Sequence, residues 1–189
     1  MNIFALNMIL LVFWAFIFRK SLSRKTAKRP GFIIVATIQL GLIALFSPLV
    51  SDVAIYSYHA SIDWYSFEPG WNLCSGILWK VWPDGRSLML FANYAFLLSF
   101  ARFVWKRSDN FFISYLVMIC LGIWGMAFFI LRQTVALAII LFAYDVLEDR
   151  KPLKFVIIVL LAASFHTTAL AFLVVYPLLY VRRDAVYLL

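Results

Sequence analysis

The sequence predicts an all-α, polytopic transmembrane helical bundle of about seven membrane helices, some short or re-entrant. One extracytoplasmic loop carries an amphipathic helix. Three observations predict this. Apolar residues make up 65% of the 189 and charged residues 14%, against roughly 45–50% and 25% in an average globular chain. The apolar residues come in long runs. The cations cluster between those runs, as in multispanning membrane proteins. A soluble domain of this length cannot hide so much apolar surface, so residues 1–189 read as one integral membrane domain. The formal charge of +8 then reads as membrane topology rather than nucleic-acid binding. Cys74 and Cys120 offer neither a disulfide framework nor metal-ligand spacing. No Gly-rich phosphate loop argues for a nucleotide hydrolase.

The first run, Ile3–Phe18, is followed by Arg19-Lys20, the reverse of a signal peptide. It predicts a retained span with the N-terminus outside. Arg19, Lys20, Arg24, Lys25, Lys28 and Arg29 then mark the cytoplasmic side. Phe32–Val50 is the second span, and 51–86 the outer loop. Leu88–Trp105, Phe111–Leu131 and Thr134–Leu147 are the third to fifth spans. Phe155–Val181 is split by Phe165-His166-Thr167-Thr168 and predicts a hairpin, which puts Arg182-Arg183 and the C-terminus in the cytoplasm. This alternation leaves fourteen cations inside and only Lys80, Arg86 and Arg132 outside. Asp145, Glu148 and Asp149 read as a solvated cytoplasmic turn with Arg150, Lys151 and Lys154.

The hairpin arms of about 12–15 residues reach only ~18–22 Å, short of a ~30 Å hydrocarbon core, and the fifth span is short too. Arg132 and His166 therefore lie below the outer surface, where polar groups face protein or a water-filled cavity. The expected floor of that cavity is Arg132, Gln133, His166, Thr167 and Thr168. The plainer alternative is a snorkelling Arg132 and a capped helix turn at His166.

The outer loop holds the acids Asp52, Asp63, Glu68 and Asp84, interleaved with Tyr56, Tyr58, Trp64, Tyr65, Phe67, Trp71, Trp79 and Trp82. Pro69-Gly70 reads as a turn, Leu73–Trp82 as the amphipathic helix on the membrane surface. Aromatic rings beside carboxylates suit sugars, since rings stack on pyranose faces while carboxylates accept hydroxyl protons. An interfacial aromatic belt is the plainer reading. His59 reads as an exposed loop residue with no evident role.

Four motifs follow in order: Asp52-x-x-x-Tyr56; Glu68-Pro69-Gly70-Trp71-Asn72-Leu73; Arg132-Gln133-x-x-Ala136-x-Ala138-Ile139; and Phe165-His166-x-Thr168-Ala169-Leu170. Over about Asp52–Leu173 this series resembles the EpsG family of Wzy-like exopolysaccharide and O-antigen polymerases. The resemblance implies a multipass bacterial inner-membrane protein that joins polyprenyl-diphosphate-linked repeats on the outer face. The implied partners are that lipid-linked glycan, membrane lipids, a flippase and a chain-length regulator, with no nucleic acid, cofactor or metal. Family members are usually much longer, so the chain reads as an N-terminal fragment or a shortened relative.

For substitution at an anomeric carbon with diphosphate leaving, a cation or helix N-terminus stabilises the anion and a base deprotonates the acceptor. Arg132 is the candidate for the diphosphate, Glu68 or Asp52 for the base, and His166 for either role. Tyr56, Trp71, Gln133 and Thr167 are candidates for substrate binding. Competing readings are another lipid-linked-sugar enzyme (a ligase or acyltransferase), a transporter, and an inactive truncated scaffold of the same pathway.

Overall fold

The computed structural model describes residues 3–18, 28–45, 51–64 and 66–178. Every regular element among them is helical: α1 (Ile3–Phe18), α2 (Lys28–Ala44), α3 (Ser51–Ser61), α4 (Pro69–Val81), α5 (Gly85–Arg107), α6 (Phe111–Cys120), α7 (Ile123–Phe129), α8 (Leu131–Glu148), α9 (Pro152–Ala163), a 3₁₀ helix (Thr167–Val174) and α10 (Val175–Leu178). The expected cation loop lies largely outside the described residues, as does Arg182-Arg183.

The all-helical class holds, but the described helices are not seven full spans. Among them α5 alone is long and apolar enough to cross a membrane, its 23 residues reaching about 34 Å. Segments of α1, α2, α6, α9 and the 3₁₀–α10 stretch are apolar but shorter. One reason is local. The run expected as a single fourth span breaks at Leu121-Gly122, where Gly122 adopts φ +73°. Glycine enters this left-handed region without a Cβ penalty and ends α6 in the usual αL fashion.

The segment expected as the outer loop also differs from expectation. Pro69-Gly70 does not make a free turn; Pro69 is the first residue of α4, where its missing N–H costs nothing. The amphipathic helix therefore starts four residues before Leu73. It buries Trp71, Ser75 and Gly76 and exposes Leu73, Ile77 and Val81. The preceding stretch forms a further helix, α3, opened by Asp52 in its first turn.

Around α5 and α8 the core is densest. Leu88, Met89 and Ala92 of α5, Leu131 and Ala143 of α8, and Phe155, Val159 and Ala162 of α9 are wholly buried. Small residues such as Ala92, Ala143 and Ala162 let helix backbones approach closely. Buried amides are satisfied in kind: Asn7 of α1 and Gln39 of α2 exchange hydrogen bonds of 2.9 and 2.6 Å.

Helices α5 and α8 run in the same direction, because their C-terminal turns meet. Asp145 pairs with Arg102, with Lys106 at 2.9 Å and with Arg107 at 2.6 Å, and Glu148 pairs with Arg107. This corrects the reading of Asp145 and Glu148 as a local solvated turn. Their partners lie on α5; Asp149–Lys151, at 2.7 Å, is the local pair. The α8–α9 turn at Asp149-Arg150 sits at this end, so α9 runs back to the opposite end. There its C-terminus meets the N-terminus of α8 and the loop between α3 and α4.

Candidate functional site

Each component arrives at that opposite end for a local reason. Asp52 and Tyr56 are four residues apart on α3 and so share a face; the Tyr56 hydroxyl donates to Asp52 Oδ2 at 3.3 Å. Arg132 stands in the first turn of α8. Its Nε donates to the Tyr56 hydroxyl at 3.0 Å and its Nη1 pairs with Glu68 Oε2. The guanidinium carbon also lies over the Phe67 ring at 4.6 Å and the Tyr56 ring at 5.6 Å, within cation–π range.

Glu68 occupies the N-cap position of α4 in an extended conformation and makes no cap bond to its own helix. Its carboxylate caps a different element. Oε1 accepts from the backbone N–H of Thr167 at 3.2 Å, the first residue of the 3₁₀ helix, and lies 3.4 Å from His166 Nδ1. One acid thus joins the orphan donor of one helix start to a cation at another. The side chains of Glu68, Arg132 and His166 are 12%, 23% and 22% exposed, so the cluster is largely but not wholly dry.

Burial alone raises the Glu68 pKa. The hydrogen bonds from its own backbone N–H and from Thr167, together with Arg132, outweigh that and hold the carboxyl below the usual range. Burial pushes the Tyr56 phenol up, which keeps it a donor to Asp52 while its oxygen accepts from Arg132.

Two further contacts aim Glu68, and neither was expected from the sequence. The Asn72 side chain brackets the preceding residue: its Nδ2 donates to Phe67 O at 2.7 Å and its Oδ1 accepts from Phe67 N at 3.3 Å. Gly70 N donates to Ser164 O at 2.7 Å, which staples the start of α4 to the end of α9. A Cβ on Gly70 meets Ser164 Oγ at 2.5 Å and Ser164 O at 2.8 Å, so only glycine permits the approach. Asn near a helix start commonly bonds local backbone, a signal that could have singled out Asn72. A backbone bond between positions 70 and 164 leaves no side-chain pattern to read.

The structure therefore brings Asp52, Tyr56, Glu68, Arg132, His166 and Thr167 together. Thr167 takes part through its backbone N–H, not its hydroxyl. Trp71, a candidate for substrate contact, is instead 1% exposed and packs edge-on under Tyr56 at 4.9 Å. It supports the Tyr56 ring and presents no face to a ligand. Gln133 lies beside two apolar grooves along α8 rather than in the hydrogen-bonded cluster: one of about 230 Å³ with Phe96, Phe100 and Leu137, the other of about 330 Å³ with Thr168, Phe172 and Val175. Asp84 accepts from Arg86 N at 2.8 Å as the N-cap of α5. Among the described residues no group of three or more His, Cys, Asp or Glu is placed to hold a metal ion.

Compared with known proteins, the chain matches one family model, described as the EpsG family, over residues 49–189. That range takes in every residue of the cluster. No curated protein and no solved structure matches the chain.

Proposed function

We propose, from the premise that this chain belongs to the EpsG family, that the Glu68–Arg132 cluster is the site of a glycan polymerase. Membership makes the chain a membrane protein of polysaccharide biosynthesis. The finer reading is a bacterial inner-membrane enzyme that lengthens polyprenyl-diphosphate-linked repeats on the outer face. One observation carries it. Four motifs separated by up to about a hundred residues converge on one charged, partly dry cluster at a single end of the bundle. The ion pairs of Arg102, Lys106, Arg107, Asp145 and Glu148 lie at the other end, as expected if that end is cytoplasmic.

In the reaction, an acceptor hydroxyl oxygen attacks the donor anomeric carbon. The carbon–oxygen bond to the diphosphate breaks, the electron pair leaves with polyprenyl diphosphate, and the hydroxyl proton passes to a carboxylate. Arg132 carries the cationic role, because its planar fork matches two phosphate oxygens. With no ligand, that fork is held by Glu68 and Tyr56. A diphosphate competes with Glu68 for it. Glu68 then loses part of the stabilisation that depresses its pKa and becomes the better base. Asp52 reaches the guanidinium only through the Tyr56 hydroxyl and so orients Tyr56. His166 stands beside Glu68 Oε1 and stabilises negative charge there when protonated.

The test is reconstitution of the full chain in vesicles with a polyprenyl-diphosphate-linked repeat unit. A ladder of lengthened lipid-linked products supports the polymerase. Transfer of a single glycan to a different acceptor, or acylation, moves the assignment to a ligase or acyltransferase.

A further inference from the structure

We infer that Trp64, backed by His59, is a carbohydrate-stacking platform beside the Glu68–Arg132 cluster, taking one pyranose unit of the glycan. This rests on the reading that the chain handles glycans and adds a site to it.

The geometry is specific. The His59 and Trp64 rings are parallel within 6° at a centroid distance of 4.7 Å. Stacking covers one face of the indole, yet Trp64 is 56% exposed. A large ring is thus backed on one side and open on the other. Its orientation is fixed from several directions. Trp64 N donates to His59 O at 3.0 Å. Asp63 takes φ +51°, a left-handed conformation that turns the chain back at the end of α3 and that Asp tolerates better than most residues. His59 is in turn held by Phe67 at 4.8 Å, by an edge contact to Tyr58 at 6.1 Å, and by Ser66 Oγ, 3.4 Å from its Nδ1.

Phe67 joins this stack to the charged cluster. One ring touches both His59 and, at 4.6 Å, the Arg132 guanidinium. A sugar on the open face of Trp64 therefore sits at the end of a row of three rings, Trp64, His59 and Phe67, that leads to Arg132. A pyranose has an apolar C–H face and a rim of hydroxyls. The open indole fits the face, and the same short segment carries the exposed hydroxyl side chains Tyr58, Ser61 and Ser66. An interfacial anchor needs only an amphipathic ring at headgroup level; it needs neither a ring-on-ring stack nor a left-handed residue to aim it. His59, for which the sequence offered no role, has one here as the backing of the platform.

The experiment uses the full chain in detergent, labelled with 5-fluorotryptophan, with the Trp64 resonance assigned from the Trp64→Phe variant. It is titrated with cellohexaose, maltohexaose and chitohexaose. At least one saccharide is expected to shift the Trp64 resonance in a saturable way and to leave the buried Trp71 and Trp124 unmoved. Trp64→Ala is expected to weaken that saccharide about ten-fold, His59→Ala by less, and Trp64→Tyr to keep it within about three-fold. Equal shifts at the exposed Trp82, or no shift with any saccharide, would overturn the platform. So would a Trp64 resonance that moves on transfer to lipid nanodiscs but not with sugar, which would identify an interfacial anchor. Because the readout is binding, a wild-type chain that binds at Trp64 but lengthens no glycan contradicts the polymerase reading alone. A chain that lengthens glycan without Trp64 binding contradicts the platform alone.

Discussion

The carboxylate of Glu68 links Arg132 to the start of the 3₁₀ helix: Oε2 pairs with the guanidinium, and Oε1 takes the Thr167 N–H at 3.2 Å. This one acid connects three segments distant in sequence. Its loss should reach all of them.

Glu68→Gln keeps the shape and removes the charge. Arg132, only 23% exposed, then loses its carboxylate partner, and hydrogen bonds to charged groups contribute about 1.5–3 kcal/mol. Asp84→Asn is the control. It keeps an oxygen to cap α5 at Arg86 N, and Asn caps about as well as Asp. Product lengths from the two variants at matched membrane levels should fall for Glu68→Gln and stay close to wild type for Asp84→Asn. An equal response removes the special role of Glu68.

The sign of the pH effect follows from the depressed Glu68 pKa. The unfolded chain, with Glu near 4.3, binds the proton more readily than the folded one. The contribution of Glu68 is therefore full above about pH 4.3 and is lost as pH falls through the folded value. Thermal unfolding followed from pH 7 to pH 3 should show a larger acid loss in wild type than in Glu68→Gln. Between pH 5 and 7 this group should add no slope.

Gly70→Ala forces a methyl against Ser164, 2.5 Å from its Oγ and 2.8 Å from its backbone oxygen. The backbone must move, so a loss on the order of 1–3 kcal/mol is expected, as for other overpacked sites, together with loss of the Gly70–Ser164 bond. Gly41→Ala in α2 meets nothing within 4 Å and should be neutral or stabilising by up to about 1 kcal/mol. Thermal melts of the two variants side by side check the contrast.

In a background with Cys74 and Cys120 replaced by Ser, Ser61→Cys should react with a membrane-impermeant thiol reagent in intact cells. Asp149→Cys should react only after lysis. Both positions are exposed, at opposite ends of the bundle. The reversed pattern inverts the topology and moves the cluster to the cytoplasmic face.

Much of the cluster was legible from residue chemistry. Arg132 and His166 stood out because ionisable residues bounding short apolar runs are costly unless they face protein or water. Glu68 stood out through its motif. What escaped the sequence was set by tertiary contact. Trp71 looks like its exposed neighbours in an aromatic-rich loop, and only packing under Tyr56 marks it as core. Asp145 has nearby cations at 150, 151 and 154, yet it pairs with α5 about forty residues away. A Pro-Gly pair fits a turn as well as a helix start, and the bond from Gly70 to Ser164 decides for the helix. The break at Gly122 needed a positive φ that composition does not reveal.

The central claim is that the Arg132 guanidinium holds the donor diphosphate, and Arg132→Lys tests it most directly. An ammonium keeps the charge and can still anchor a helix end, but it lacks the fork that grips two oxygens. Losing such a donor set typically lowers rate by about 10²–10³. The chain carrying Arg132→Lys, reconstituted with a polyprenyl-diphosphate-linked repeat at wild-type protein level, is predicted to lengthen glycan at most about one-hundredth as fast as wild type, no better than Arg132→Ala. Wild-type product lengths from the lysine variant would contradict the diphosphate role and leave Arg132 as an anchor of α8.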